Sequence, residues 1–179
     1  MTLVTRMNTR LFFGHLASDI VQHASKSVED VIRAFGAEGG GRNGGYLRAH
    51  MLPLLGKFTT LIPLVEMVVG DIDIVRRDRS DVVSFEKVLR LATHSGEGHV
   101  TSGQSADPNL DQYPGAILVP ITFMDSPTHL ILSLSGLLPV ADEGGMIVLA
   151  DRLPKEYGVN LEKVVRVSPN HLAMPLLAA

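Results

Sequence analysis

The sequence predicts an α+β domain in which N-terminal helices pack on a mainly antiparallel C-terminal β-meander. Three observations carry this expectation. Helical periodicity is concentrated before residue 36, and the stretch from Ala116 to Asp151 reads as short strands joined by turns. Regular strand-helix alternation occurs only between Asp71 and Thr93, so a three-layer α/β arrangement is the alternative.

Taken in order, Asn8 is placed to cap a helix running to about Ser25, with Phe12, Phe13, Leu16, Ala17, Ile20 and Ala24 on one face. Ser27 and Asp30 stand at capping-box spacing and open a second, shorter helix that Gly36 ends. Gly36 to Gly45 holds six glycines in ten residues and is expected to be a loop. Tyr46 to Leu52 is read as helix up to Pro53, Asp71 to Val75 as a strand, and Asp81 as the cap of a helix ending near Thr93. His94 to Gly115 is a polar connection of 22 residues without periodicity, longer than most loops that lack a role.

The apolar run Ala116 to Met124 is predicted to be a strand that, because Pro120 cannot donate a ladder hydrogen bond, is either an edge strand or bulged there. Asp125 to Thr128 turns the chain into His129 to Ser135, where Leu130, Leu132 and Leu134 alternate with polar partners. Asp142-Glu-Gly-Gly145 reads as a second hairpin turn leading to a strand at Met146 to Ala150, and Leu161 to Val167 as a last strand.

The 179 residues fit one domain, 1–179, long enough to hold a core without metal or disulfide. The chain is cysteine-free, which removes disulfides, thiol nucleophiles and thiolate zinc sites together. Met1 to Asn8 lacks the apolar core of a secretory signal, and Met51 to Val69 is interrupted by Lys57, Glu66 and two prolines. The latter is read as buried core, no membrane span is expected, and the location is expected to be cytoplasmic.

Charge is segregated. From Leu91 to Asp151 there is no lysine or arginine against seven acidic residues, which suggests a solvated acidic rim. Arg76, Arg77 and Arg79 are the one basic cluster, diluted by Asp78 and Asp81, so nucleic acid is not an expected partner.

Candidate site residues follow from residue chemistry. His94, Glu97 and His99 form a ligand set that zinc accepts, with His50 or His129 as a further ligand and Ser95 or Ser102 as substrate contacts; a solvated loop accounts for the same residues. His15, Asp19 and His23 recur every four residues on one helical stripe and could hold a metal, or simply form a polar surface. Gly40, Gly41, Arg42 and Gly44 offer backbone N–H groups and one cation to a phosphate, although no Walker pattern follows. Asp71 and Asp73 could hold magnesium. Ser84 and Lys87 match S-x-x-K spacing, but no companion motif supports a nucleophilic serine.

No motif names an activity, so the expectation leans away from an enzyme. The leading expectation is a non-enzymatic structural or assembly subunit, a homo-oligomer acting through protein-protein contacts. One alternative is a small-molecule-binding or sensor domain with a pocket between the sheet and the first helices and His129 or Tyr113 at its mouth. The other is a His/Glu metal-dependent hydrolase or lyase.

Overall fold

The computed structural model describes residues 3–123 and 125–178, with side chains from residue 12 onward. Four strands form one antiparallel sheet: β1 (Asn43–Met51), β2 (Ile62–Asp71), β3 (Ala116–Phe123) and β4 (Ser126–Ser135), in the order β2-β1-β4-β3. Among the described residues four helices accompany it: α1 (Leu3–Phe35), α2 (Ile74–His94), α3 (Pro139–Arg152) and α4 (Glu162–Val167). The fold is α+β. Two local hairpins, β1-β2 and β3-β4, are joined through a β1-β4 pairing that puts the earliest strand at the sheet centre.

Helices lie on both faces. Leu134 of β4 and Val28 of α1 both lie against Gly145 of α3, whereas Ser133, one residue before Leu134, donates to the Ser84 carbonyl of α2 at 2.9 Å. The layering is thus that of the three-layer alternative, while the strand directions are those of the leading expectation. One contiguous core runs from Leu16 through the strands to Ala173.

Several elements correct the sequence expectations. Asn8 lies inside α1, and the two expected helices are one: Ser27 Oγ donates to the His23 carbonyl at 2.7 Å instead of capping, and Lys26 pairs with Asp30 one turn on. Tyr46 to Met51 is strand, because Leu47, Ala49 and Met51 form one buried face and Arg48 and His50 are buried beneath α2 on the other. Asp73, not Asp81, caps α2, its carboxylate accepting from Arg76 N at 2.9 Å; the Asp71 to Val75 alternation straddles a strand end and a helix start. Residues 53–59 are an exposed connection, not buried core. Pro120 does lie in an edge strand, and the tight turn after Phe123 comes just before Ser126, with Asp125 at φ 62°. Met124 lies outside the described residues.

The largest correction is α3. Gly144 and Gly145 are not hairpin residues but contact points inside a helix: a Cβ on Gly144 would meet Asn170 at 3.1 Å, and one on Gly145 would meet Leu134 at 3.4 Å. Residues 141–150 are all buried, so no amphipathic period marks this helix. Pro139 in its first turn was the available signal. Leu161 to Val167 likewise contains helix, with Arg166 and Glu162 paired at 2.7 Å across one turn. Two of the seven residues of the expected acidic rim, Asp142 and Glu143, are buried in α3, and the exposed Asp111 pairs with Arg79.

The 22-residue connection is a sequence of 3-10 turns pinned to α2. Arg90 donates to the carbonyls of Ser102 and Tyr113, and Ser102 Oγ accepts from Ala116 N at 3.0 Å. Thr101 and Gln104 form a capping box. Among the described residues no helix is long and apolar enough to cross a membrane.

Candidate functional site

The first half of α2, the β4-α3 connection and the residues before β1 meet around a cleft of ≈ 410 Å³. This is within the size range of small-molecule sites. Arg42, Arg76, Arg79 and Lys87 line it against a single lining carboxylate, Asp142, with Tyr113, Ser80 and Ser135 adding hydroxyl groups. Such a balance attracts anions.

The backbone that forms the cleft also orients its cations. Arg42 donates to the Leu137 carbonyl at 3.2 Å and Arg76 to the Gly136 carbonyl, so each guanidinium is anchored by one edge. A guanidinium carries five N–H donors in a planar fork, and neither residue has a carboxylate partner among the described residues. Gly136 makes the turn possible. At its φ of 135° an added Cβ would sit 2.6 Å from Gly45 Cα, so only glycine lets the connection pass against the start of β1. Arg79 reaches the exposed Asp111 at 3.2 Å, and Tyr113 is positioned by the Arg90 anchor on its carbonyl.

Beneath these groups lies a buried ion pair. Lys87 and Asp142 are 1% and 2% exposed, with Nζ donating to Asp142 Oδ2 at 3.1 Å and to the Leu134 carbonyl at 2.8 Å. The second Asp142 oxygen accepts from Leu137 N at 3.0 Å. Burial pushes the Asp142 carboxyl up to about 6, and the lysine charge only partly opposes this. Gly115 makes room for the ammonium, since a Cβ there would lie 2.4 Å from Nζ.

The sequence-derived candidates fall in different places. Arg42 reaches the cleft, while Gly44 is enclosed in the β1-β2 pairing and Gly40 packs under Leu138; Gly41 has open space around it. Tyr113 lines the cleft, which lies beside α2 and not beside α1; His129 is on β4 opposite Pro120. Asp19 accepts from Tyr157 Oη, so its carboxylate is engaged by the C-terminal region, while His15 and His23 stand eight residues apart on α1. Two helical turns separate those rings by roughly 12 Å along the axis.

Ser84 and Lys87 are both buried and serve the α2-sheet contact. Asp71 ends β2 and Asp73 is the α2 cap. His94, Glu97 and His99 do come together, with donor atoms all within 4.8 Å of one another; neither His50 nor His129 joins them. Ser95 Oγ accepts from Gly56 N, and Ser102 Oγ from Ala116 N, so both hydroxyls hold backbone.

Sequence reasoning saw Arg42 and the Arg76 to Arg79 cluster separately but not their convergence. Only the β1-β4 pairing and α3 bring them to one cleft. Asp142 was read as a turn residue, although an acid in the first turn after Pro139 is also a helix-start signal.

No protein family model, no curated protein and no solved structure matches the chain.

Proposed function

We propose that this protein is a small-molecule-binding domain whose ligand is an organic anion carrying phosphate or carboxylate groups. The supporting observation is the cleft of ≈ 410 Å³ lined by four cationic side chains and one carboxylate. Guanidinium groups pair with phosphate and carboxylate oxygens through two parallel N–H bonds, which gives orientation as well as charge. Tyr113 at the wall offers a flat apolar surface and a hydroxyl to the rest of such a ligand.

Calorimetric titration with a panel of nucleotides, sugar phosphates, polycarboxylates and inorganic phosphate tests this. At least one member is expected to bind with one-to-one stoichiometry and to raise the melting temperature. Arg76→Ala and Arg42→Ala are each expected to weaken that ligand by about tenfold or more, the loss of one charge-assisted contact. Binding that survives both substitutions in folded protein, or no binding across the panel, overturns the reading.

A second reading is self-association through the outward side of α2, with a second copy of this chain as the partner. Ile74, Val75 and Val82 are 67%, 80% and 70% exposed. Val75 and Val82 are seven residues apart, which puts them on one stripe. Light scattering is expected to show a dimer that Val75→Asp with Val82→Asp converts to monomer. A wild-type monomer at every concentration removes this reading.

A further inference from the structure

We infer that His94, Glu97 and His99 form a binding site for one divalent transition-metal ion of the zinc, nickel or copper type. The site is separate from the cationic cleft and does not depend on the reading given to it. Glu97 Oε2 lies 3.0 Å from His94 Nδ1 and 4.0 Å from His99 Nε2. Ligands bound at about 2.0 to 2.2 Å around a tetrahedral ion stand roughly 3.3 to 3.6 Å apart, so small side-chain rotations bring three donors into a single shell.

Donor chemistry selects the ion. Two imidazole nitrogens and one carboxylate suit zinc, nickel and copper, whereas calcium and magnesium demand shells of oxygen. The imidazole rings already face one another, with centroids 5.2 Å apart and planes 23° from parallel. His99 Nδ1 is buried without a hydrogen-bond partner, and its Nε2 is the nitrogen turned toward Glu97.

The backbone beneath the three donors is held from several directions. Ser95 Oγ donates to the Ala92 carbonyl and accepts from Gly56 N, both at 2.6 Å. The backbones at Gly96 and Gly56 touch, an added Cβ on Gly96 lying 3.3 Å from Gly56 Cα. His99 N returns to the His94 carbonyl, and the Val100 carbonyl accepts from Leu118 N of β3 at 2.8 Å. The turn is therefore organised by α2, the 53–60 connection and an edge strand before any ion arrives, which lowers the ordering cost of binding. Glu97 is largely exposed, so the ion exchanges with solution, and three protein donors leave a position for water or an external ligand.

The test is titration of the full chain, stripped with chelator, with Zn²⁺ and Ni²⁺ by calorimetry and with Co²⁺ by visible absorption. One equivalent is expected to bind, with Co²⁺ developing d-d bands and Zn²⁺ raising the melting temperature. His94→Ala, His99→Ala and Glu97→Gln are each expected to weaken binding about tenfold or more. His15→Ala with His23→Ala is expected to leave it unchanged. Circular dichroism without metal establishes that each variant is folded, and Glu97→Gln, which alters only an exposed side chain, carries the test if a histidine variant is not. Absent saturable binding overturns the inference, as does binding untouched by Glu97→Gln and the histidine changes, or binding lost with His15 and His23.

Discussion

The two faces of the central sheet are both buried, yet they are made of different material. Toward α1 and α3, β1 and β4 present Leu47, Ala49, Met51, Leu130, Leu132 and Leu134, with Thr128 the one buried polar residue of β4 in the same alternation. Toward α2 the same two strands present Arg48, His50, Ser133 and Ser135 together with the fully buried Ile131. Arg48 donates to Ser84 at 3.1 Å and Glu66 at 2.6 Å, also pairs with Asp81, and lies over the Phe85 ring. The apolar face supplies the driving force of folding. The polar face borders the cleft and holds Arg48 and Ser133 by specific partners, while His50 Nδ1 is buried on it without one.

The most severe way to break this comparison is at the buried ion pair. Asp142→Ala leaves the Lys87 ammonium buried without its counter-charge and is expected to cost about 3 to 5 kcal/mol in urea unfolding. Lys87→Met combined with Asp142→Leu is expected to be more stable than either single change, because neither charge is then stranded. On the apolar face, Leu132→Ala removes a fully buried side chain and is expected to cost roughly 2 to 5 kcal/mol, with no dependence on pH.

Acid response separates the faces further. Burial and the nearby Arg48 charge push His50 down to about 4, below the 6.5 of an unfolded chain. The unfolded state therefore binds more protons between these values, and stability from this group is lost as pH falls from 6.5 toward 4. The full effect is on the order of 3 kcal/mol. Asp142 works with the opposite sign: its carboxyl is raised from 3.8 to about 6, so its contribution to stability is complete below 3.8 and declines as pH rises through 6. His50→Phe is expected to gain stability relative to wild type on going from pH 7 to pH 4.5, measured by urea midpoint at each pH. An equal acid loss in both proteins would show that His50 is not the group responsible.

The smallest expected effect is Ser133→Ala. It removes one buried hydrogen bond to the Ser84 carbonyl and is expected to cost about 1 kcal/mol, with ligand binding in the cleft unchanged.

This contrast also explains what could be read from the chain before folding. The Leu-Ser alternation of β4 was legible as a strand with two unlike faces, and Pro120 as an edge residue. What was not legible was that the polar face is covered, because serine and histidine on a strand look the same whether water or a helix lies above them. The same ambiguity turned β1 into an expected helix. For α3 the difficulty was complementary: a helix buried all round carries no period, and its two glycines imitate a turn. The His94, Glu97 and His99 cluster was visible because its residues are neighbours in sequence. The cationic cleft was not, because Arg42 and Asp142 meet only through long-range pairing.

The ion pair between Arg152 of α3 and Asp30 of α1, at 2.7 Å, joins residues 122 positions apart. The helix that α1 must cover its apolar stripe with is thus encoded far downstream of it. During synthesis at about 5 to 20 residues per second, roughly 6 to 25 s pass between the appearance of Asp30 and that of Arg152. Throughout that interval the β1-β2 hairpin can close locally and cover part of α1, but Val28 lacks the α3 surface around Gly145 that it packs on. A growing chain of this protein accordingly displays an incompletely covered helical stripe until α3 emerges, and chaperones that recognise such stripes have a defined window in which to hold it.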